Sequence, residues 1–240
     1  MTDKILVNKR NHVFEITLNN PAKMNCMGFE MLYALDEAVS KAGKDSEVRA
    51  LMIKGAGERA FSTGADLKEF QALPDEKADE WIEFGNSVFN RIERLQKPSL
   101  ALINGYAIGG GFELALACDF RLGTQSAILA SVEVQHGWLP GWGGMTRLRR
   151  LIGESRAKEV VLLCEKIPAQ RALEMGLLTR VLSGGAEDPE LEKLLDHLAG
   201  LNPDAFKQAK SVLMDPDRTT YGPDVQFDVL AMKAANTKAD

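Results

Sequence analysis

The chain has 240 residues, 45% of them hydrophobic and 26% charged, with 21 Gly, 9 Pro and 3 Cys. That composition excludes a disordered, collagen-like or disulfide-stapled protein, and the length suits one large domain or a domain with an appendage. The 29 Lys and Arg against 34 Asp and Glu leave a net charge of −5, which argues against a nucleic-acid binder, whose phosphate contacts need clustered cations.

Met1-Thr2-Asp3-Lys4 runs straight into Ile5-Leu6-Val7 with no leader-like or Arg-rich segment, so the cytoplasm is the expected compartment. Residues 4–8 and 13–18 predict two strands joined by a polar turn from Asn8 to His12, and Asn19-Asn20-Pro21 breaks the second. Leu32, Leu35, Ala38, Val39 and Ala42 recur at helical spacing between Gly28 and Gly43, with Gly43 as a C-cap. Ala50 to Ile53 predicts a short strand, Gly55 to Asp66 a loop, and Asp75 to Leu95 a helix with a Trp81, Phe84, Val88, Ile92 and Leu95 stripe.

Leu100 to Ala117 is apolar enough to suggest a membrane span, but it contains Asn104, Gly109-Gly110-Gly111 and Glu113. A carboxylate in a bilayer is costly and three glycines break a helix, so the segment predicts a buried strand, a tight turn and a buried helix. Asp119 to Leu122 and Ala127 to Val134 predict further strands, and Gly137 to Gly144 a Gly-, Pro- and Trp-rich loop. Helices are expected at about 145–152, 154–164 and 168–175, with a last strand from Leu177 to Leu182.

Ser183 to Ala186 predicts a linker, and only helices follow: one from Asp188-Pro189, then Asp204 to Met214 and Asp224 to Ala235. The expected organisation is therefore an α/β part over 1–185 and a helical region over 186–240. Alternating short strands and helices predict parallel pairing. No fixed-period sequence repeat is visible. The tail carries much apolar surface, including Leu191, Leu194, Leu195, Leu198, Val225, Val229, Leu230 and Met232, which predicts self-association.

Several residues could carry chemistry. Phe61 to Leu67 and Gly109 to Glu113 are loops that end in helix starts and expose backbone N–H groups. Two such N–H groups aimed at one oxygen make an oxyanion hole; alternatively, the glycines only permit close packing. The spacing matches neither a dinucleotide fingerprint nor a Walker sequence, and no Gly-x-Ser-x-Gly is present. Glu113 and Glu133 both lie among apolar residues, where burial would raise the pKa of at least one and suit general acid/base work. The competing reading is a pair of capped or salt-bridged structural acids. His12, His136 and His197 show no ligand spacing, Cys26, Cys118 and Cys164 read as reduced core residues, and Trp138 and Trp142 read as core or pocket wall.

Three segments, taken together and in order, resemble the enoyl-CoA hydratase/isomerase (crotonase) superfamily. They are Ala60-Phe61-Ser62-Thr63-Gly64-Ala65-Asp66-Leu67-Lys68, then Asn104 to Ala115, then Gly137-Trp138-Leu139-Pro140-Gly141-Trp142-Gly143-Gly144 with Arg147-Leu148. Asn20-Pro21, Lys97-Pro98 and the Ala169 to Gly176 segment fit as well, so the resemblance spans about residues 5–182. It departs from the usual pattern at Cys26-Met27, at Val132 where Pro is usual, and at Trp142 where a small residue is common.

The resemblance implies a spiral of ββα turns with a C-terminal helical trimerisation region, forming a homotrimer or a dimer of trimers. It implies a lyase of fatty-acid metabolism that takes acyl-CoA thioesters, with no metal and no cofactor beyond the coenzyme A of the substrate. It puts the oxyanion N–H groups on Ala65 and Gly110 and the hydratase glutamates on Glu113 and Glu133. Substrate contacts are expected around Ala22, Lys23, Gly64, Asp66, Leu67, Lys68, Gly109 and Trp142. The implied reaction is addition of water across a 2-enoyl-CoA, with Glu113 directing the water to C3 and Glu133 delivering a proton to C2. Double-bond isomerisation, decarboxylation and carbon–carbon bond formation are the alternatives on the same scaffold.

Overall fold

The computed structural model describes residues 3–214. The helix expected at Asp224 to Ala235, with Val225, Val229, Leu230 and Met232, lies outside them.

Strands β1 (Ile5–Arg10) and β2 (Val13–Leu18) form an antiparallel hairpin. β1 runs two residues past its expected end because the turn is only Asn11-His12, both at positive φ. Helix α1 (Phe29–Lys44) follows, and Gly43 lies inside it rather than capping it; Asp45 is the C-cap. The helix buries Met31, Leu32, Leu35, Ala38, Val39 and Ala42.

From there the chain repeats a ββα turn. β3 (Ala50–Gly55) and β4 (Ala60–Ser62) precede α2 (Leu67–Gln71) and α3 (Asp75–Glu93). β5 (Ser99–Ile103) and β6 (Tyr106–Ile108) precede α4 (Gly110–Ala117). β7 (Phe120–Thr124) and β8 (Ile128–Ala130) precede α5 (Gly144–Leu163), which breaks at Gly153. Gly153 has φ 77° and ψ 167°, a conformation open to glycine, so α5 is the two helices that the sequence predicts. β9 (Ile167–Pro168), α6 (Ala169–Glu174) and β10 (Arg180–Leu182) complete this part.

The first strand of each turn joins a six-stranded sheet ordered β1-β2-β3-β5-β7-β10. The second strand joins a four-stranded sheet ordered β4-β6-β8-β9. Pairing is parallel except for β1 with β2 and β8 with β9. The fold is thus an α/β ββα spiral. Its turns begin at Ala50, Ser99 and Phe120, an uneven spacing that leaves no sequence period.

The central strands β2, β3 and β5 of the large sheet are buried on both faces, and this gives them near-continuous apolar runs, whereas the edge strand β1 is mostly exposed. Phe14, Ile16, Leu18, Leu51, Ile53, Ala101 and Ile103 pack with α1, α3 and α4 in the main core. Val13, Ala50, Met52, Leu100, Leu102, Leu122 and Leu182 face a second cluster with α7 (Pro189–Gly200). The linker holds a 3-10 turn at Gly185–Glu187, and Asp188 caps α7 by accepting from the Glu190 N–H at 2.9 Å.

Leu191, Leu195 and Leu198 of α7 are buried against this back face, at roughly 2 kcal/mol each. These three leucines are therefore covered by the chain's own sheet and are not free for the self-association that the tail's apolar surface predicts. Helix α8 (Pro203–Leu213) is tied down by Lys210, whose Nζ lies 2.8 Å from Asp119 Oδ2.

Leu100 to Ala117 forms β5, β6 and α4 in the interior, and no described helix is long and apolar enough to cross a membrane. All three cysteines are free, as expected, but the expected core placement holds for buried Cys118 only. Cys26 and Cys164 are half-buried, and Cys26 lies beside Lys23 and Asp66. Burial and the Asp66 carboxylate push the Cys26 thiol up to about 11, so it stays a thiol at neutral pH.

Candidate active site

Every residue of α4 is buried, including Glu113 at 4% exposure. A buried acid needs donors, and here they come from the Gly137–Gly144 loop and the start of α5. The Trp142 N–H donates to Glu113 Oε1 at 2.9 Å and the Gly144 N–H at 2.8 Å. The loop is itself anchored by buried Arg147, which donates to the Trp142 carbonyl at 2.7 Å and ion-pairs with Glu93 at 2.9 Å. Oε2 of Glu113 takes no hydrogen bond among the described residues, and the residue lines a cleft.

Burial pushes the Glu113 carboxyl up to about 7. The Gly144 N–H draws it back, the Glu133 charge pushes it further up, and the Trp142 N–H and Arg147 again draw it down. Desolvation outweighs the donors.

Glu133 enters the same cleft from the loop after β8. That loop was expected to continue the strand to Val134. Instead the strand stops at Ala130 and Val134–His136 forms a 3-10 turn, which brings Glu133 off the sheet. Ser131 Oγ–H donates to Glu133 Oε2 at 2.8 Å, while Oε1 is buried with no partner among the described residues.

Ala65 and Gly110 also line the cleft. Ala65 bridges Met27: the Met27 N–H donates to the Gly64 carbonyl at 2.7 Å, and the Asp66 N–H to the Met27 carbonyl at 2.9 Å. In a parallel bridge this turns the N–H of Ala65 away from Met27, and it finds no acceptor among the described residues. Gly110 is the first residue of α4, so its N–H has no intrahelical partner either. The two turns touch: a Cβ on Gly64, which has φ +85°, would lie 2.6 Å from Gly110 N. The segment is pinned from behind by buried Asn25, whose Nδ2 donates to the Ala56 and Ala60 carbonyls at 3.0 and 2.9 Å.

The cleft encloses about 480 Å³. Leu67, Phe70, Trp81, Trp138, Leu139 and Trp142 form its apolar wall. Trp81 and Phe70 lie with ring centroids 4.9 Å apart, and Trp81 and Trp142 5.4 Å apart, edge to face. Aromatic walls beside two carboxylates and two N–H groups with no acceptor among the described residues suit an apolar chain attached to a reacting carbonyl.

Of the expected site residues, Glu113, Glu133, Ala65, Gly110, Leu67 and Trp142 share this cleft, and Gly64 and Gly109 lie directly before Ala65 and Gly110. Ala22, Lys23, Asp66 and Lys68 do not line it. Ala22 and Lys23 are exposed on the Pro21–Lys23 turn, Lys68 is exposed on α2, and Asp66 caps α2 while pairing with Lys23 at 2.7 Å. Sequence reasoning missed Ser131, which holds Glu133, and the aromatic contributions of Phe70 and Trp81. Their sequence signals are slight: Ser131 stands two residues before Glu133, Phe70 lies near the end of α2, and Trp81 shows only as the first member of the apolar stripe of α3. His12, His136 and His197 do not enter the cleft, and no group of three His, Cys, Asp or Glu among the described residues could hold a metal ion.

The profile of a family described as enoyl-CoA hydratase/isomerase matches residues 8–239. The chain is similar to the short-chain-enoyl-CoA hydratase of Clostridium acetobutylicum, 33% identical over 211 residues that cover 88% of this chain and 81% of that protein. It is also similar to the crotonyl-CoA hydratase of Syntrophomonas wolfei, 34% identical over 209 residues that cover 87% of this chain and 80% of that one. Among solved structures, an enoyl-CoA hydratase from Bacillus anthracis superposes with a TM-score of 0.93 at 32% identity, covering 99% of this chain and 93% of that one.

Proposed function

Because the chain belongs to the enoyl-CoA hydratase/isomerase family, we propose that its cleft hydrates a 2-enoyl-CoA thioester to the 3-hydroxyacyl-CoA. The observation that carries this reading is one cleft holding two glutamates and two backbone N–H groups that have no acceptor among the described residues.

In this reading the thioester oxygen rests on the Ala65 and Gly110 N–H groups. As water adds at C3, negative charge moves onto that oxygen, and donors already in place stabilise it without reorganising. Glu113, fixed through Oε1, presents Oε2 to the water and takes its proton. Glu133, held by Ser131, delivers a proton to C2. One proton enters the pair and one leaves it, and exchange with solvent resets both acids. The carbonyl polarisation comes from N–H groups, so turnover is expected to survive a chelator. Coenzyme A enters as part of the substrate.

Loss of the enoyl-thioester ultraviolet absorbance on a panel of short 2-enoyl-CoAs tests the reading. Isomerase or decarboxylase turnover without hydration would overturn it. The family resemblance supports a homotrimer or a dimer of trimers acting in the cytoplasm, with residues 186–240 as the assembly region, and a monomer in sedimentation at micromolar concentration would contradict the assembly.

A further inference from the structure

We propose that the Trp142 indole sets the length of acyl group the cleft takes, and that Gly85 on α3 is the residue that allows it to do so. The proposal rests on the acyl-thioester reading above.

Gly85 sits in the middle of α3, where Gly is about 1 kcal/mol worse than Ala. It has no positive φ to explain it. Space explains it: a Cβ there would lie 2.3 Å from Trp142 Nε1 and 2.5 Å from Cε2. At the other edge of the indole, a Cβ on Gly110 would lie 2.4 Å from Cζ3 and 2.5 Å from Cε3. Two glycines on different helices therefore clasp the ring by its opposite edges. Trp81 and Phe89 meet it edge to face, at 5.4 and 5.3 Å between centroids.

The ring is 4% exposed and still lines the cleft. It touches Gly110, whose N–H is the proposed thioester donor, so the first carbons of an acyl group run against it. A small side chain at 142 would join the cleft to the slot between α3 and α4. Removing an indole opens a space on the order of the ~150 Å³ cavity that admits benzene. Each methylene buried there would strengthen binding about fourfold.

The test is calorimetric binding of butyryl-CoA and octanoyl-CoA, which contain no double bond to hydrate. Wild type should prefer butyryl-CoA. Trp142→Ala should shift the octanoyl-to-butyryl affinity ratio at least tenfold toward octanoyl, and free indole, refilling the slot, should reverse the shift. Gly85→Ala, at a position outside the cleft, should drive the indole toward Gly110 and weaken both thioesters. If Trp142→Ala does not fold, Trp142→Phe carries the test with a smaller shift in the same direction. An unchanged ratio overturns the role of Trp142. Failure of wild type to bind either thioester overturns the acyl-thioester reading itself.

Discussion

The Gly144 N–H, at the first residue of α5, donates to Glu113 Oε1 at 2.8 Å, from thirty-one residues further along the chain. A helix N-terminus is a natural seat for a carboxylate, and the Trp142 N–H doubles the hold. Both donors take the same oxygen. The arrangement fixes the carboxylate through one oxygen and leaves Oε2 without a partner among the described residues.

Glu113→Gln and Glu133→Gln should each lower kcat by about 10²–10⁴-fold, the usual contribution of a positioned acid or base. The amide keeps the shape and still accepts the N–H or hydroxyl donors. Butyryl-CoA affinity should change little, because the proposed carbonyl donors are backbone groups. Steady-state kinetics beside calorimetry check both halves, and near-normal turnover in both variants would return the two acids to a structural role.

The pair of glutamates and the glycine turns were legible because charge inside an apolar run is conspicuous, as Glu113 is within Leu100 to Ala117. The strands β4 and β6 were not legible. Each is three residues long and bounded by loop residues, so no alternation can develop. The stretch from Ala127 to Val134 reads as one strand, yet Ser131 onward leaves the sheet, and nothing local marks the point where the need to place Glu133 overrides β propensity. The Gly85–Trp142 contact joins positions 57 residues apart and was out of reach of any periodicity. Leu191, Leu195 and Leu198 were read correctly as an apolar face, but a face does not say whether a sheet or a partner chain covers it.

Catalysis should carry an acid limb near neutrality. In the proposed reaction Glu113 must be ionised to take the proton of water, and burial holds its carboxyl at about 7. Below that value kcat/KM should fall roughly tenfold per pH unit, and above it the limb should level off. Profiles of wild type and Glu113→Gln would show it. A wild-type profile flat from pH 5 to 8 would exclude Glu113 as the base.

The same burial makes Glu113 a cost to folding at high pH. Below about 4.5 the group is protonated in both folded and unfolded chains. Between 4.5 and about 7 only the unfolded chain ionises, so the folded state holds more protons and stability falls as pH rises. Above about 7 the loss is complete, at about 3 kcal/mol. Gln never ionises. The stability gain of Glu113→Gln over wild type should therefore be larger at pH 8 than at pH 4.5 by an amount of that order. Urea unfolding at fixed protomer concentration measures it.

Gly64→Ala should separate enolate stabilisation from ground-state binding. Gly64 has φ +85°, and an added Cβ would lie 2.6 Å from Gly110 N and 2.9 Å from the Ile108 carbonyl oxygen. All of these are backbone atoms, so neither turn can yield by rotating a side chain. The strain should cost about 1–3 kcal/mol of stability. More telling is where the displacement falls. It moves the Gly110 N–H relative to that of Ala65, and two donors that no longer converge lose their advantage for a full negative charge more than for a neutral carbonyl. Loss of one such donor typically lowers kcat about 10²–10³-fold. The prediction is a kcat loss of that size with butyryl-CoA affinity within a few-fold of wild type, measured on protein whose circular dichroism matches wild type. Equal loss of affinity and kcat would mean that the turns only shape the cleft, and the polarising groups would then have to be sought among its side chains.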